Sequence, residues 1–349
     1  MTAKQALVAA VLAATALASC ASAPPATVDE SLDLIRKRAL QEHVVYLADD
    51  ALAGRMTGEE GYDTAARYVA EQMAAMGAAP AGTEGWYQPV PLRSYKVIPD
   101  AARFVIHGDG GDRVFAYRDD FSMPGDPVRA STHVRAEVVF VGYGVHAPDH
   151  GYSDYDGVDV AGKIVAGFGG APESIVGEQR AYYASSQTKL KEATSRGAIG
   201  VISLRSREAE EKRAWEEVKK RVGRRPAMTW VNEDGEAARY FPQIEGRAYL
   251  SPATAAALFA NAPLSYEDAL DAIEAGEVAS VNLGVEVTLA RESEHGALSS
   301  PNVVGVVRGT DPLLADEYVV YTAHLDHIGT QVDEGEKQVF NGAYDNAMG

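Results

Sequence analysis

The sequence predicts an α/β fold built on a mixed β-sheet, and three observations support this. Apolar residues recur at helical spacing in several segments, among them 29–47 and 62–76. Short runs rich in β-branched and aromatic residues, which glycine and proline separate, are typical of strands. The run at 318–323 is almost continuously apolar, as expected of a strand that is buried on both faces of a mainly parallel sheet.

The remaining elements follow from the same patterns. The helix over 62–76 is followed by Gly77, a residue that commonly caps a helix C-terminus. Further helices are predicted at 189–196, 205–221, 253–261 and 266–275. Strands are predicted at 87–92, 103–107, 136–141, 163–167, 198–203, 281–290, 302–308 and 317–323. The charged helix at 205–221 is expected to present a solvated face.

Composition bounds the class of protein. The chain has 349 residues, of which 46% are apolar and 23% charged, which is typical of a globular protein with room for two domains. The formal net charge is -18. An excess of carboxylates repels phosphate backbones, so nucleic acid is excluded as an expected partner.

The first 19 residues are predicted to be a signal peptide. Lys4 supplies a short positive region, and an alanine-rich apolar run follows at 7–18. That run is shorter than the roughly 20 residues needed to span a bilayer, but it fits the apolar region of a secretory signal.

Cys20 is the only cysteine, so no internal disulfide is possible. It ends the sequence Leu-Ala-Ser-Cys at 17–20, which resembles the lipobox of bacterial lipoproteins, where the cysteine is acylated. The alternative is an ordinary signal peptide that is cleaved near Ala-Ser-Ala at 21–23. Residues 20–30 are predicted to form a lipidated tether. The protein is therefore expected to be exported, in the periplasm or at the cell surface, and to contact a membrane only through this anchor.

Candidate chemistry lies at the end of the predicted buried strand. His324, Asp326 and His327 follow it directly, and Asp345 comes 21 residues after His324. Ligands bind at the carboxyl ends of strands in open α/β sheets, and imidazole and carboxylate are zinc ligands. A His-x-Asp pair also allows the carboxylate to orient the imidazole. On these residues alone, a purely structural role for the histidines stays open.

Several motifs together resemble metallopeptidase family 28, the co-catalytic zinc aminopeptidases. They are Ala-His-Leu-Asp-His at 323–327, Asn-Gly-Ala-Tyr-Asp-Asn at 341–346, the Asp-Asp and Gly-Arg pairs within 47–58, and Ser-Pro-Asn-Val-Val-Gly at 300–305. The resemblance runs from about residue 31 to the end of the chain. It implies the phosphorylase/hydrolase-like mixed sheet of a zinc exopeptidase.

The resemblance also implies roles for individual residues. His324 would bind one of two zinc ions, Asp345 would bridge both, and Asp326 would hold the far nitrogen of His324. His327 is not expected to be a ligand. Tyr344 and Met348 depart from the residues that many relatives carry beside the bridging aspartate; these differences affect the expected substrate preference rather than the ligand.

A second resemblance concerns the middle of the chain. Val-Gly-Tyr-Gly at 141–144 and Asp-Val-Ala-Gly-Lys-Ile at 159–164 are similar to a protease-associated domain of α/β type. This implies an insertion at 131–252 between two parts of the peptidase domain, 31–130 and 253–349.

The family's later motifs are absent from this sequence. In the family a Glu-Glu pair supplies the general base and a zinc ligand, and a further Asp and His complete the shell. Only four residues follow Asp345. We therefore expect a C-terminally truncated, inactive form that lacks the general base.

The resemblance implies an aminopeptidase that hydrolyses N-terminal residues of peptide substrates through a water activated by two zinc ions. Two alternatives remain open. The same fold and metals can serve a carboxypeptidase or a glutaminyl cyclase, or the chain can be a non-catalytic surface binding protein. No Gly-x-Ser-x-Gly, His-Glu-x-x-His or phosphate-binding loop motif is present.

Overall fold

A computed structural model describes residues 35–108, 110–238, 240–277, 280–333 and 335–349. Two compact units are present: one is continuous, Gln88–Asn302, and the other combines the chain up to Tyr87 with Val303–Gly349. The predicted signal peptide, Cys20 and the tether at 20–30 lie outside the described residues. The predicted α/β class is confirmed, since helices and a mixed sheet are both present.

The helices and strands have the following bounds. The helices are α1 (Lys37–Leu47), α2 (Glu60–Ala75), α3 (Gly177–Ala184), α4 (Ser186–Ser195), α5 (Arg207–Lys212), α6 (Trp215–Lys219), α7 (Pro252–Leu258) and α8 (Tyr266–Glu274). The strands are β1 (Ala79–Pro80), β2 (Tyr87–Val97), β3 (Arg103–His107), β4 (Arg113–Val114), β5 (Phe121–Ser122), β6 (Ser131–Phe140), β7 (His146–Ala147), β8 (Tyr152–Ser153), β9 (Ile164–Phe168), β10 (Gly200–Leu204), β11 (Ala227–Trp230), β12 (Gly246–Leu250), β13 (Val281–Val303), β14 (Gly305–Val306), β15 (Thr330–Asp333) and β16 (Glu336–Val339).

The continuous unit is organised by a ten-stranded mixed sheet. Its main path has the order β11-β2-β13-β6-β9-β10-β12-β5, and β3 pairs with both β13 and β4. The neighbours from β6 through β9 and β10 to β12 are parallel, whereas β13 runs antiparallel to β6 and β3.

Burial along the strands follows from their position in the sheet. β6 begins with alternating exposed and buried residues and ends with three buried ones, Val138, Val139 and Phe140. Strand β9 is buried at four of its five positions. The alternating part is covered on one face and the continuous parts on both, as expected where parallel strands lie between helices. The largest apolar cluster of this unit therefore lies along the sheet.

The charged segment predicted as one helix over 205–221 forms two short helices, α5 and α6. Arg213 between them is extended. The guanidinium group of Arg205 binds the carbonyl of Arg213 and pairs with Glu210, which also accepts from the backbone N–H of Trp215. The indole of Trp215 is buried and donates to the carbonyl of Asp119 at 2.6 Å. Burying this one large ring bends the chain away from a continuous helix.

Among the described residues, the discontinuous unit contains α1, α2, two short strand pairs and three isolated β-bridges. A small apolar cluster joins Leu47, Leu52, Ala65 and Ala347. Strand β1 pairs with β14, and β15 pairs with β16. Gly77 follows α2 with φ of +86°, which confirms its predicted capping role.

The strand predicted at 317–323 is not formed in the described structure. These residues have no regular secondary structure, and Val319 and Tyr321 are 82% and 91% exposed. A strand requires a neighbour that satisfies its backbone groups, and within the described residues none pairs with this segment. The prediction of a buried strand is therefore wrong for this structure.

Two further predictions concern organisation. The compact unit 88–302 includes the module predicted at 131–252 and extends beyond it at both ends. The inserted module therefore stays a prediction. Among the described residues, no helix has both the length and the apolar character required to cross a membrane.

Candidate metal centre

His324 and Asp345 meet in the discontinuous unit. Nε2 of His324 lies 3.0 Å from Oδ1 of Asp345. Both side chains are accessible, with exposed fractions of 50% and 68%. The two residues that the sequence analysis proposed as ligands are therefore neighbours in space, and a solute can reach the point where they meet.

The other ring nitrogen of His324 faces Asp326. Nδ1 lies 3.0 Å from the backbone carbonyl oxygen of Asp326 and 3.4 Å from its carboxylate oxygen Oδ1. A carbonyl oxygen can only accept, so Nδ1 carries the proton in this contact. The Nε2 atom that faces Asp345 is then the nitrogen with the available lone pair in the neutral ring.

His327 lies beside the pair but further away. Its Nδ1 is 3.8 Å from Oδ2 of Asp345, and its side chain is only 14% exposed. The ring packs against Gly342, where an added Cβ would lie 2.6 Å from Cγ of His327. These contacts give His327 a packing role in this structure.

Arg55 anchors the loops that carry the candidate ligands. It is completely buried, and its Nε donates to the carbonyl of Leu325 at 2.8 Å. The two terminal nitrogens donate to the carbonyls of Asn341, at 2.7 Å, and Gly342, at 3.1 Å. One of them also donates to the carbonyl of Leu47. The rigid guanidinium fork thus fixes the loop before Asp326 and the loop before Asp345 relative to the end of α1.

Burial has an electrostatic consequence for Arg55. Desolvation lowers the pKa of its guanidinium group, and the negative charge of Asp326 opposes that effect. The ligand loop therefore supplies charge as well as carbonyl oxygens to the buried cation.

The backbone around Gly54 continues this anchoring. The N–H of His327 donates to the carbonyl of Arg55, and the N–H of Gly329 donates to the carbonyl of Gly54, both at 3.0 Å. Gly54 has φ of +69°, and a Cβ there would lie 2.4 Å from the carbonyl oxygen of Gly329 and 2.5 Å from that of Phe340. Glycine is required here because the three backbone segments approach too closely for a side chain.

Two further side chains orient the loops. The hydroxyl of Thr57 donates to Oδ2 of Asp326 at 3.2 Å. The side-chain nitrogen Nδ2 of Asn341 donates to the backbone carbonyl of Ala48 at 2.6 Å and to Oδ1 of Asp50 at 2.7 Å. The segment 48–57 is therefore bound to both ligand loops.

The donor set matches part of a zinc site. Ligand atoms that each lie about 2.0–2.2 Å from one zinc ion are separated by about 3.3–3.6 Å at the tetrahedral angle, and Nε2 of His324 lies slightly closer than that to Oδ1 of Asp345, at 3.0 Å. Over the described ranges, no group of three or more His, Cys, Asp or Glu side chains is arranged to hold a metal ion. The residues present fit an imidazole–carboxylate pair, which is fewer than the three protein ligands of a catalytic zinc.

Sequence reasoning missed the functions of Arg55, Thr57 and Asn341. All three lie in segments that the sequence analysis quoted for their resemblance, but it gave them no role. A single arginine in a loop after a helix is a weak signal, because its carbonyl partners carry no sequence signature.

The last segment of the chain is similar to a known family of peptidases. Residues 302–349 match the family model described as Peptidase family M28. This segment contains His324, Asp326 and Asp345, so the candidate centre lies within the part of the chain that is similar to that peptidase family.

Solved structures of aminopeptidases are also similar to this chain. The chain is similar to an aminopeptidase from Aneurinibacillus sp. strain AM-1, with 18% identity, a TM-score of 0.42, and coverage of 89% of this chain and 55% of that one. It is also similar to BSAP, a zinc aminopeptidase from Bacillus subtilis, with 15% identity, a TM-score of 0.28, and coverage of 78% and 47%. The chain therefore spans about half the length of these solved structures. None of the curated proteins compared with this chain matches it.

Proposed function

We propose that the complete protein is a zinc-dependent exopeptidase, specifically an aminopeptidase that removes N-terminal residues from peptides. The observation that carries this proposal is the 3.0 Å approach of His324 to Asp345 within a segment that matches a peptidase family. Zinc in such a site polarises a scissile carbonyl and activates water for attack. The resemblance of the motifs supports two ions; His324 would then help to hold one of them, and Asp345 would help to hold both.

The residues of this chain then prepare and hold the donor atoms. The carbonyl of Asp326 fixes the proton on Nδ1 of His324, so that Nε2 is free to coordinate. The carboxylate of Asp326 is itself held by Thr57. Arg55 fixes the backbone on both sides of the site, so the two donors keep their separation without reorganisation when the metal enters.

The proposal assigns the general base, a glutamate, and the remaining ligands to parts of the whole protein that this sequence does not contain. One observation supports this: the described donor set has fewer ligands than a catalytic zinc requires.

The test uses the protein encoded by the whole gene. We expect it to hydrolyse aminoacyl-p-nitroanilides, to lose that activity to a chelator and to regain it with zinc. The 349-residue chain, assayed in parallel, is expected to be inactive, because base catalysis alone contributes about 10²–10⁴-fold. Equal activity of the two proteins would contradict the assignment of the missing base.

Substrate profiling separates the reaction classes. Cleavage that requires a free α-amine supports an aminopeptidase, whereas release of C-terminal residues from N-acetylated peptides supports a carboxypeptidase. Conversion of N-terminal glutamine to pyroglutamate supports the cyclase. If the whole protein contains no zinc and shows none of these activities, the result supports a non-catalytic binding protein.

We also propose that the precursor is cleaved before Cys20 and acylated there, which would anchor the protein to a membrane on the exported side. The Leu-Ala-Ser-Cys sequence at 17–20 supports this. Mass spectrometry of the mature N-terminus tests it. An unmodified N-terminus elsewhere, together with unchanged membrane association of Cys20→Ala, would contradict it.

A further inference from the structure

A cavity of about 530 Å³ lies within the unit 88–302, which contains none of the candidate ligands. Its walls include Tyr95 of β2 and Trp230 of β11, two strands that pair with each other. Arg247 of β12 and Arg291 of β13 also line it. The volume falls within the range that is usual for small-molecule sites. The metal centre proposed above does not use this cavity.

Arg291 is a built polar element of the cavity. Its side chain is 3% exposed, and one terminal nitrogen binds the carboxylate of Asp126 at 3.1 Å. The guanidinium group also donates to the carbonyls of Pro124, at 2.9 Å, and Glu245, at 3.2 Å. The Nε atom of Arg291 is buried without a hydrogen-bond partner among the described residues. This atom has essentially no solvent-accessible surface, so Arg291 contributes its positive charge to the cavity rather than a free donor.

The cavity also has an excess of positive charge. Its described lining contains two guanidinium groups, Arg247 and Arg291, but one carboxylate, Asp126. Arg247 donates to the hydroxyl of Tyr249 at 3.2 Å, and within the described residues it forms no ion pair. Burial and the nearby charge of Arg247 both lower the pKa of Arg291, while Asp126 opposes them. In a chain of net charge -18, this is a local site for an anion.

Aromatic side chains form part of the remaining wall, together with aliphatic and small residues. Tyr95, Trp230 and Phe241 border the cavity, and the indole of Trp230 is about half exposed. Aromatic faces bind flat or apolar groups and stack on guanidinium planes. The wall therefore selects a ligand that combines one negative charge with an apolar body.

We propose that this cavity binds a monocarboxylate that carries an aromatic or apolar group, with the guanidinium group of Arg247 as its donor and the buried positive charge of Arg291 in the same wall. A carboxylate matches the planar guanidinium group of Arg247 and the single excess positive charge. A dianion such as phosphate is disfavoured because the carboxylate of Asp126 lies in the same wall. The carboxy-terminal residue of a short peptide and a free aromatic acid share this chemistry.

Isothermal titration of the 349-residue chain with N-acetylphenylalanine tests the proposal. We expect saturable binding, and at least tenfold weaker binding of N-acetylphenylalanine amide, which has the same shape without the charge. Ligand-induced fluorescence change should disappear in Trp230→Phe, which locates the site. Equal binding of acid and amide, absence of saturable binding, or preference for inorganic phosphate would overturn the proposal.

Two arginine variants test whether Arg247 is the donor to the bound carboxylate. Arg247→Gln is expected to weaken binding of N-acetylphenylalanine at least tenfold, because Arg247 is partly exposed and its loss leaves the buried Arg291–Asp126 pair intact. Arg135→Gln, an exposed arginine on β6, is the control and should bind as the parent does. Unchanged affinity in a folded Arg247→Gln variant would contradict the assignment.

A third titration distinguishes the two sources of the carboxylate. Tighter binding of N-acetylphenylalanine than of 3-phenylpropionate assigns the cavity to a peptide terminus, and the reverse order assigns it to a free acid; both orders support the carboxylate site. The experiment needs no zinc and is unaffected by His324→Ala. Its failure is therefore separable from failure of the proposed peptidase function.

Discussion

Nε2 of His324 lies 3.0 Å from Oδ1 of Asp345, although the two residues belong to different loops. The contact depends on the position of both loops and not on a local turn. Substitution of His324 or Asp345 should consequently affect metal binding and activity directly. Substitution of the residues that position the two loops should act mainly through stability.

His324→Ala or Asp345→Ala in the whole protein should lower zinc content and abolish peptidase activity. Asp326→Ala, which removes only a carboxylate beside His324, should cost roughly 10–100-fold in kcat/KM or metal affinity. Metal analysis by mass spectrometry and nitroanilide hydrolysis measure both. His133→Ala, an exposed histidine in the other unit, is the control; equal losses in all four variants would indicate a general folding defect.

Arg55→Lys should destabilise the unit that contains the metal centre by on the order of 3–5 kcal/mol, because a lysine cannot satisfy four carbonyls that are spread around a guanidinium fork. Urea unfolding measures the change. Arg67→Lys is the matched control in the same unit, since Arg67 is exposed on α2 and, among the described residues, its side chain donates one hydrogen bond, to Thr64 at 2.8 Å. Surface substitutions usually change the free energy of unfolding by less than about 0.5 kcal/mol. A change that small in Arg55→Lys would show that the buried contacts of Arg55 do not stabilise the unit.

Gly54→Ala and Gly77→Ala isolate the effect of close backbone approach. Both glycines have positive φ, +69° and +86°, but an added Cβ at Gly77 has nothing within 4 Å. Gly77→Ala should cost about 1–2 kcal/mol from backbone strain alone. Gly54→Ala should cost about 1–3 kcal/mol more, because its Cβ would overlap two carbonyl oxygens. Equal free energies of unfolding for the two variants would contradict this account.

Asp154 should make the stability of the unit 88–302 depend on pH between about 4 and 6. Burial raises its pKa to about 6, while hydrogen bonds from the Val145 N–H and the Tyr152 hydroxyl oppose the shift. The folded state binds the proton more tightly than the unfolded state, so this contribution is fully present below the unfolded pKa and is lost as pH rises through 6. The loss is on the order of 2–3 kcal/mol.

The comparison with Asp154→Asn, which keeps the shape of the side chain, tests this pH dependence. The free energy of unfolding of the parent should fall relative to that of the variant between pH 4 and 7. The titration of Lys189 does not contribute to the change between pH 4 and 7. Burial lowers its pKa to about 8, so Lys189 is protonated throughout this range and its effect on the free energy of unfolding stays constant there. Parallel pH profiles of the two proteins would show that Asp154 titrates normally.

Much of the fold was predictable because its elements have local signatures. The alternation in β6 and the apolar face of α2 follow from periodicity, and the predicted strands near β9 and β10 are confirmed within two residues. The break at Arg213 was not predictable, since it depends on the burial of Trp215 against the carbonyl of Asp119. Tertiary contact overrides a helical pattern there.

The candidate centre was predictable only in part. His324, Asp326 and Asp345 stand in recognisable motifs, and the structure brings them together. Arg55 was not assigned a function because its partners are carbonyl groups, which every residue possesses. The strand expected at 317–323 failed for a related reason: an apolar run specifies burial, but pairing depends on a neighbour that the run itself does not encode.

The hydrogen bonds of Arg55 also constrain the order of folding. Its partners Leu325, Asn341 and Gly342 are 270, 286 and 287 residues away in sequence, and closing so long a flexible loop is entropically unfavourable and slow. The unit 88–302 shortens this search, because its first and last residues are joined by a 3.0 Å hydrogen bond between Asn302 and Gln88. Once that unit has folded, the long stretch of chain between Arg55 and its partners is already closed. His324 and Asp345 should therefore come together late, after the larger sheet, and metal supplied early in refolding should not accelerate the process.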